Sequence, residues 1–154
     1  RGRLNFAAMP RLLVEHSDIE KYRLRPGDLI FARTGATVGK VALMRAHDPE
    51  CIAGAYFINM RFTDALLPEY AFAVLQTPSV RLIVEKRSRQ AAQQNFSGPA
   101  LRELPMPVPP IALQSDYAQR VEAINRLRRT HEGGLAELDA LFASLQHRAF
   151  RGEL

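Results

Sequence analysis

The chain has 154 residues and a single cysteine, Cys51. That rules out an internal disulfide and leaves too few thiols for a zinc knuckle. Cys51 reads instead as a small hydrophobe near a strand. No apolar run approaches the ~20 residues a membrane span needs, so no membrane association is expected. The opening residues Arg1-Gly2-Arg3-Leu4-Asn5-Phe6 lack the long apolar stretch of a signal peptide, and the sequence reads as cytoplasmic. The chain does not begin with Met, as expected of a fragment or a processed chain.

Catalytic patterns are missing as well. Gly35-Ala36-Thr37-Val38-Gly39-Lys40 has three residues between its glycines and Val41 after its lysine. A phosphate loop needs four, followed by Ser or Thr to hold magnesium. Adenine methyl transfer usually shows Asn or Asp before Pro-Pro and an aromatic after it, whereas Pro109-Pro110 sits between Val108 and Ile111. Metal-dependent nucleases often pair an acid with a lysine two residues on, and no such pair occurs. His16, His47, His131 and His147 are scattered, without the spacing of a metal pair. No active site, metal site or cofactor is expected.

What is present is globular in composition. The apolar fraction, 47%, is enough for a core, and the length suits one domain plus an appendage. The run Leu104-Pro105-Met106-Pro107-Val108-Pro109-Pro110-Ile111 reads as a rigid hinge between a domain over 1–110 and a helical segment over 111–154. Charge divides at the same place. Residues 1–110 hold 15 Lys and Arg against 10 Asp and Glu, while 111–154 hold six of each. Arg81, Lys86, Arg87, Arg89 and Arg102 form a basic cluster with Glu85 as its one acid. Such a cluster suits a phosphate backbone, the alternative being an ordinary solvated surface.

The first domain reads as strands early and helices late. Arg25-Pro26-Gly27-Asp28 is a turn launching a strand over 29–33. A glycine-punctuated, hairpin-like loop bearing Thr34, Thr37 and Lys40 leads to a return strand over 40–45. A third strand over 55–62 places Tyr56, Ile58, Met60 and Phe62 on one face and Asn59 and Arg61 on the other. Pro68 starts a helix. Thr77-Pro78 caps the next, whose Val80, Ile83 and Val84 share a face while Arg81, Lys86 and Arg87 point to solvent. Ser97-Gly98-Pro99 starts a third, carrying Leu101 and Leu104.

The last segment is the most regular. Tyr117, Val121, Ile124, Arg128, His131, Leu135, Leu138, Phe142, Leu145 and Ala149 alternate by four and three, the heptad seam of a helix that packs along another. Gly133-Gly134 costs roughly 2 kcal/mol in a helix interior, so a bend or break is expected there. A helix of ~35 residues spans ~50 Å, more than the width of a domain of ~110 residues. That favours intermolecular pairing, the alternative being packing on the first domain. Arg128 and His131 would then fix the register between partners.

Binding chemistry remains. Gln90, Gln93, Gln94 and Asn95 lie beside Arg87 and Arg89. Amides pair bidentately with the adenine edge and arginine with guanine. Lys40, Lys86 and the N-terminal arginines would supply salt-dependent backbone contacts. The alternative is a polar loop capping the third helix. The expected DNA-contacting set is Arg33, Thr34, Thr37, Lys40, Arg87, Arg89, Gln90, Gln93, Gln94 and Asn95. The expected helix-pairing set is Tyr117, Val121, Ile124, Leu135, Leu138, Phe142 and Leu145.

Four stretches, in order, resemble the specificity subunit of type I restriction-modification systems. They are Leu24-Arg25-Pro26-Gly27-Asp28 through Lys40, Ala53-Gly54-Ala55-Tyr56-Phe57-Ile58, Gln94-Asn95-Phe96-Ser97 through Pro110, and Ala149-Phe150-Arg151-Gly152-Glu153-Leu154. The resemblance implies an α+β target recognition domain followed by a long coiled-coil helix. It implies a non-catalytic subunit that reads double-stranded DNA and holds the modification (methyltransferase) subunits and, through them, the restriction subunit. The usual subunit has two such halves with antiparallel helices, which set the spacing of a two-part DNA site. This chain would be one half, trimmed at its N-terminus. Whether two copies form a homodimer through the helix stays open. The family tends to have Glu where Leu113 precedes Gln114, so a contact made by that Glu does not carry over. The competing reading is a coiled-coil assembly module that reads no DNA.

Overall fold

A computed structural model describes residues 4–11, 13, 16–89 and 95–153. Contacts within it divide the chain into two units, Arg1–Ser115 and Asp116–Leu154. The first is built on a three-stranded antiparallel sheet of order β2-β1-β3, with β1 at Leu29–Ala32, β2 at Val41–Leu43 and β3 at Phe57–Met60. A helix the sequence reading did not anticipate, α1 (His16–Tyr22), precedes the sheet. Helices α2 (Pro68–Leu75), α3 (Pro78–Arg89) and α4 (Gly98–Arg102) follow it. This is the expected α+β arrangement, with strands shorter at their ends than the apolar runs suggested.

Strand β1 is buried along its whole length because both its faces are covered. Leu29 and Phe31 face the main core, formed with Val41, Leu43, Ala71, Leu75, Val80, Val84, Phe96, Leu101 and Leu104. Ile30, one residue out of phase, faces a second cluster with Leu24 and Met44, against which Cys51 packs. Burial pushes the Cys51 thiol up, with the charge of Asp48 adding to the effect. The cysteine therefore stays protonated and acts as a hydrophobe.

The turn before β1 is fixed by Asp28. Its buried carboxylate accepts from the Arg25 backbone N–H at 2.9 Å and from Asn59 Nδ2 at 3.1 Å. Arg61 grips it with Nε at 2.9 Å and Nη2 at 3.1 Å. Asn59 and Arg61 thus use the face of β3 and its extension opposite to Ile58, Met60 and Phe62, which pack on the main core. Tyr56 departs from the expected pattern. It lies just before β3 and is 71% exposed, so it does not join the core face.

Local rules set the helix starts. Pro68 occupies the first turn of α2, where its missing N–H costs nothing. At α4 the Ser97 hydroxyl accepts from the Ala100 N–H at 3.2 Å, a cap worth about 1 kcal/mol. Thr77 behaves differently from the expected cap. Its hydroxyl donates back to the Val74 carbonyl at 2.7 Å, closing the end of α2.

Helix α5 runs from Ile111 to Phe150. Its first turn belongs to the first unit, held there by Gln114. This side chain is 0% exposed. Its Nε2 donates to the carbonyls of Ala65 at 2.9 Å and Pro109 at 2.8 Å, and its Oε1 accepts from the Leu67 N–H at 2.8 Å. The amide offers donor and acceptor in one plane, so it satisfies three backbone groups that burial would otherwise orphan.

The expected interruption at Gly133-Gly134 is absent, and α5 continues through both glycines. Neither glycine takes a positive φ. Strong helix formers on both sides, including Leu127, Arg128, Arg129, Leu135, Ala136 and Glu137, offset the roughly 2 kcal/mol cost. Among the described residues, no helix is long and apolar enough to cross a membrane.

Candidate nucleic-acid interface

The β1–β2 connection is the hairpin-like loop the sequence suggested. Thr34 is extended, Gly35–Thr37 makes one 3-10 turn, and the loop closes through Gly39 N–H to Ala32 O at 3.0 Å and Ala32 N–H to Lys40 O at 2.9 Å. Gly39 has φ +82, and a Cβ there would lie 3.0 Å from Val84 Cγ1. Both the backbone conformation and the approach of α3 therefore require glycine. Thr37 and Lys40 are exposed, and Thr34 is half-buried.

The structure brings two of the sequence clusters together. Thr34 and Asn95 form an antiparallel bridge. The Phe96 N–H donates to Arg33 O at 2.8 Å. The Arg33 Nε donates to Asn95 Oδ1 at 3.4 Å. Residues 61 or more positions apart thus meet because Phe96, 1% exposed, inserts beside Phe31 with ring centroids 5.4 Å apart. On the other side of Arg33, its own N–H donates to Tyr56 O at 3.0 Å. The exposed Tyr56 therefore belongs to this surface. Sequence alternation had placed it on one face with Ile58, Met60 and Phe62. Its place beside Gly54 and Ala55, at the end of the strand, was the signal that could have marked it as exposed.

Other candidates are placed differently. Arg87 is exposed, as expected. It pairs with Glu103 at 3.1 Å and reaches the Ala100 carbonyl at 3.4 Å, so its charge is partly committed within the fold. Lys86 is exposed on α3, and Arg89 is the last residue of that helix. Gln90, Gln93 and Gln94, like Arg1 and Arg3, lie outside the described residues.

In the second unit Ile124, Leu135, Leu138, Phe142 and Leu145 are exposed, as is Tyr117, while Val121 is half-buried. Leu127 and Leu141, each one residue before a seam position, widen the exposed apolar stripe. Arg128 pairs along the helix with Glu132 at 3.9 Å.

A small sheet presenting arginine, amide and aromatic groups at one end, followed by a long helix with an apolar stripe, defines a recognition module. Residues 14–140 match the family model of the type I restriction modification DNA specificity domain, and the chain belongs to that family, whose members recognise DNA rather than catalyse. It is 26% identical over 147 residues to the type I restriction enzyme EcoKI specificity subunit of Escherichia coli (strain K12). That match covers 90% of this chain and 32% of the relative. A solved chain described under "Structural basis underlying complex assembly and conformational transition of the type I R-M system" shares the fold with TM-score 0.59 and 23% identity. It covers 86% of this chain and 33% of the solved one. The chain thus spans about a third of the length of each.

Proposed function

We propose that this chain reads a duplex DNA sequence for a type I restriction-modification complex in the cytoplasm. In this reading it directs modification subunits, and through them the restriction subunit, to one part of a two-part site. The observation that carries the proposal is the Thr34–Asn95 bridge, which joins the loop bearing Arg33, Thr34, Thr37 and Lys40 to the segment beginning with Arg87 and Arg89. In this reading the loop and the segment form one surface that offers forked, amide and point-charge donors, the set that base edges and phosphates require. Gln90, Gln93 and Gln94, on the same segment, are proposed to extend it. The exposed stripe of α5 is proposed to pair with the corresponding helix of a second half, which sets the distance between the two parts of the site.

The test is selection of a random-sequence duplex pool by the purified chain at low and moderate salt, with its mass in solution recorded. A short enriched motif supports sequence reading, and a symmetric pair of motifs at fixed spacing supports helix pairing between copies. An oligomer that enriches no sequence and binds DNA no better than ~10⁻⁴–10⁻⁶ M supports a coiled-coil assembly module instead.

A further inference from the structure

Arg33 differs from the arginines of the first unit that carry an ion pair. Arg61 is committed to Asp28, Arg87 to Glu103, and Arg23 to Glu20 and Glu50. Among the described residues, no carboxylate pairs with Arg33. It is nonetheless held in place. Its N–H is fixed by Tyr56 O, its carbonyl by the Phe96 N–H, and its Nε by Asn95 Oδ1. The support beneath is the buried Phe31–Phe96 contact, two residues along the chain from Arg33 and one from Asn95. A charged fork, oriented but not neutralised, is thus presented at the end of the sheet.

The division of donors and acceptors limits what each side chain can read. A bidentate contact to adenine needs both the oxygen and the nitrogen of an amide. One of the two lone pairs of the Asn95 oxygen is taken by Arg33, so a base could use that oxygen only alongside this contact. A guanidinium has five N–H donors in a rigid plane, and engaging Nε leaves free its outer edge, where one N–H of each terminal nitrogen points the same way. Those two nitrogens match the paired acceptors O6 and N7 of guanine. A phosphate can take the same fork, but a phosphate contact carries no base preference and is told apart from a guanine contact by its salt slope.

We infer that Arg33 reads a guanine in the major groove and that Asn95 is a positioning residue which aims it, rather than a reader of adenine. This rests on the DNA-reading function proposed above and deepens it.

The experiment is duplex selection by the purified chain and its Asn95→Ala, Asn95→Asp, Arg33→Lys and Arg33→Ala variants, followed by affinities for the selected duplex and its single-base variants over a range of salt. The unaltered chain should show one guanine position preferred by about 5- to 150-fold, the discrimination of one good bidentate contact. Arg33→Lys keeps the charge, loses the fork and should abolish that preference. Asn95→Ala should weaken the same preference and no other, and combining it with Arg33→Lys should add nothing further. Asn95→Asp keeps an acceptor for Nε and should retain the preference with weaker binding to all sequences. This rescue separates aiming from mere folding.

The inference is overturned if Asn95→Ala leaves the guanine preference intact or alters preference at an adenine instead. It is also overturned if Arg33→Ala weakens all sequences alike and lowers the salt slope by about one, the behaviour of a phosphate contact. Absence of any enriched sequence with the unaltered chain would remove the DNA-reading function itself, and the inference with it.

Discussion

Phe96 and Phe142 are chemically identical side chains in opposite situations. Phe96 is 1% exposed and joins strands, helices and a distant loop in the first unit. Phe142 is 62% exposed on a helix whose described residues bury only Gln114, in its first turn. In the first unit, apolar residues are spent on the chain's own fold, and the polar groups left at the sheet end are the informative ones. In the second, the apolar residues are themselves the surface, and their spacing is what carries meaning. One chain thus contains two kinds of exposed surface: a polar one supported by a core, and an apolar one on a helix held by its own backbone hydrogen bonds and by ion pairs such as Arg128–Glu132.

Truncation should separate the two units most sharply. Phe96→Ala should destabilise the first unit by about 3–5 kcal/mol in urea unfolding. Phe142→Ala should change unfolding of the unpaired chain by no more than about 0.5 kcal/mol. Equal effects would mean that α5 buries this face in solution. Gln114→Ala should be of comparable size, at roughly 1–3 kcal/mol for each backbone group left unsatisfied. Hydrogen exchange should place that loss at Leu67 and the first turn of α5.

Replacing both Gly133 and Gly134 by alanine should act in the opposite direction. Nothing lies within 4 Å of a Cβ added at either position. The helix should therefore gain about 2 kcal/mol, visible as slower amide exchange on both sides of residue 133, with the first unit unchanged. A gain shared by both units would show that they unfold together.

The smallest expected effect is on acid stability. Burial of Asp28 opposes its ionisation. The hydrogen bonds from Arg61, the Arg25 backbone and Asn59, with the charge of Arg61, outweigh that and hold its pKa below the usual carboxylate value. Its contribution is therefore full above the unfolded pKa, near 3.9, and is lost as pH falls through the lowered folded value. Asp28→Asn should flatten the acid limb of stability against pH for the first unit. An unchanged limb would assign acid sensitivity to other carboxylates.

Much of this was legible in the sequence, because the signals involved are local. Prolines and Ser97 marked helix starts, glycines marked the β1–β2 loop, and alternation placed Asn59 and Arg61 opposite Ile58 and Met60. The heptad spacing defined the stripe on α5 without any tertiary information. The misreadings have equally physical causes. Tyr56 was grouped with Ile58, Met60 and Phe62, but it lies at the end of the strand, still hydrogen-bonded to Arg33, where the core no longer covers it. The glycine pair was judged by its own cost, whereas helix continuity depends on the sum over its neighbours. Arg87 is exposed as expected, but its ion pair was not visible because Glu103 is 16 residues away.

The sequence by itself determined the class of fold, the split between a basic domain and a charge-neutral helix, and the apolar seam. All three depend on composition and short-range period. Only the tertiary structure decided which polar groups face one another. The buried Gln114 clasps the 65–67 loop, Asp28 gathers Arg61 and Asn59, and Arg33 meets Asn95 above the Phe31–Phe96 contact. Side-chain amides and guanidiniums have no periodicity to reveal their partners. Their pairing is fixed when the core brings distant segments within hydrogen-bonding distance.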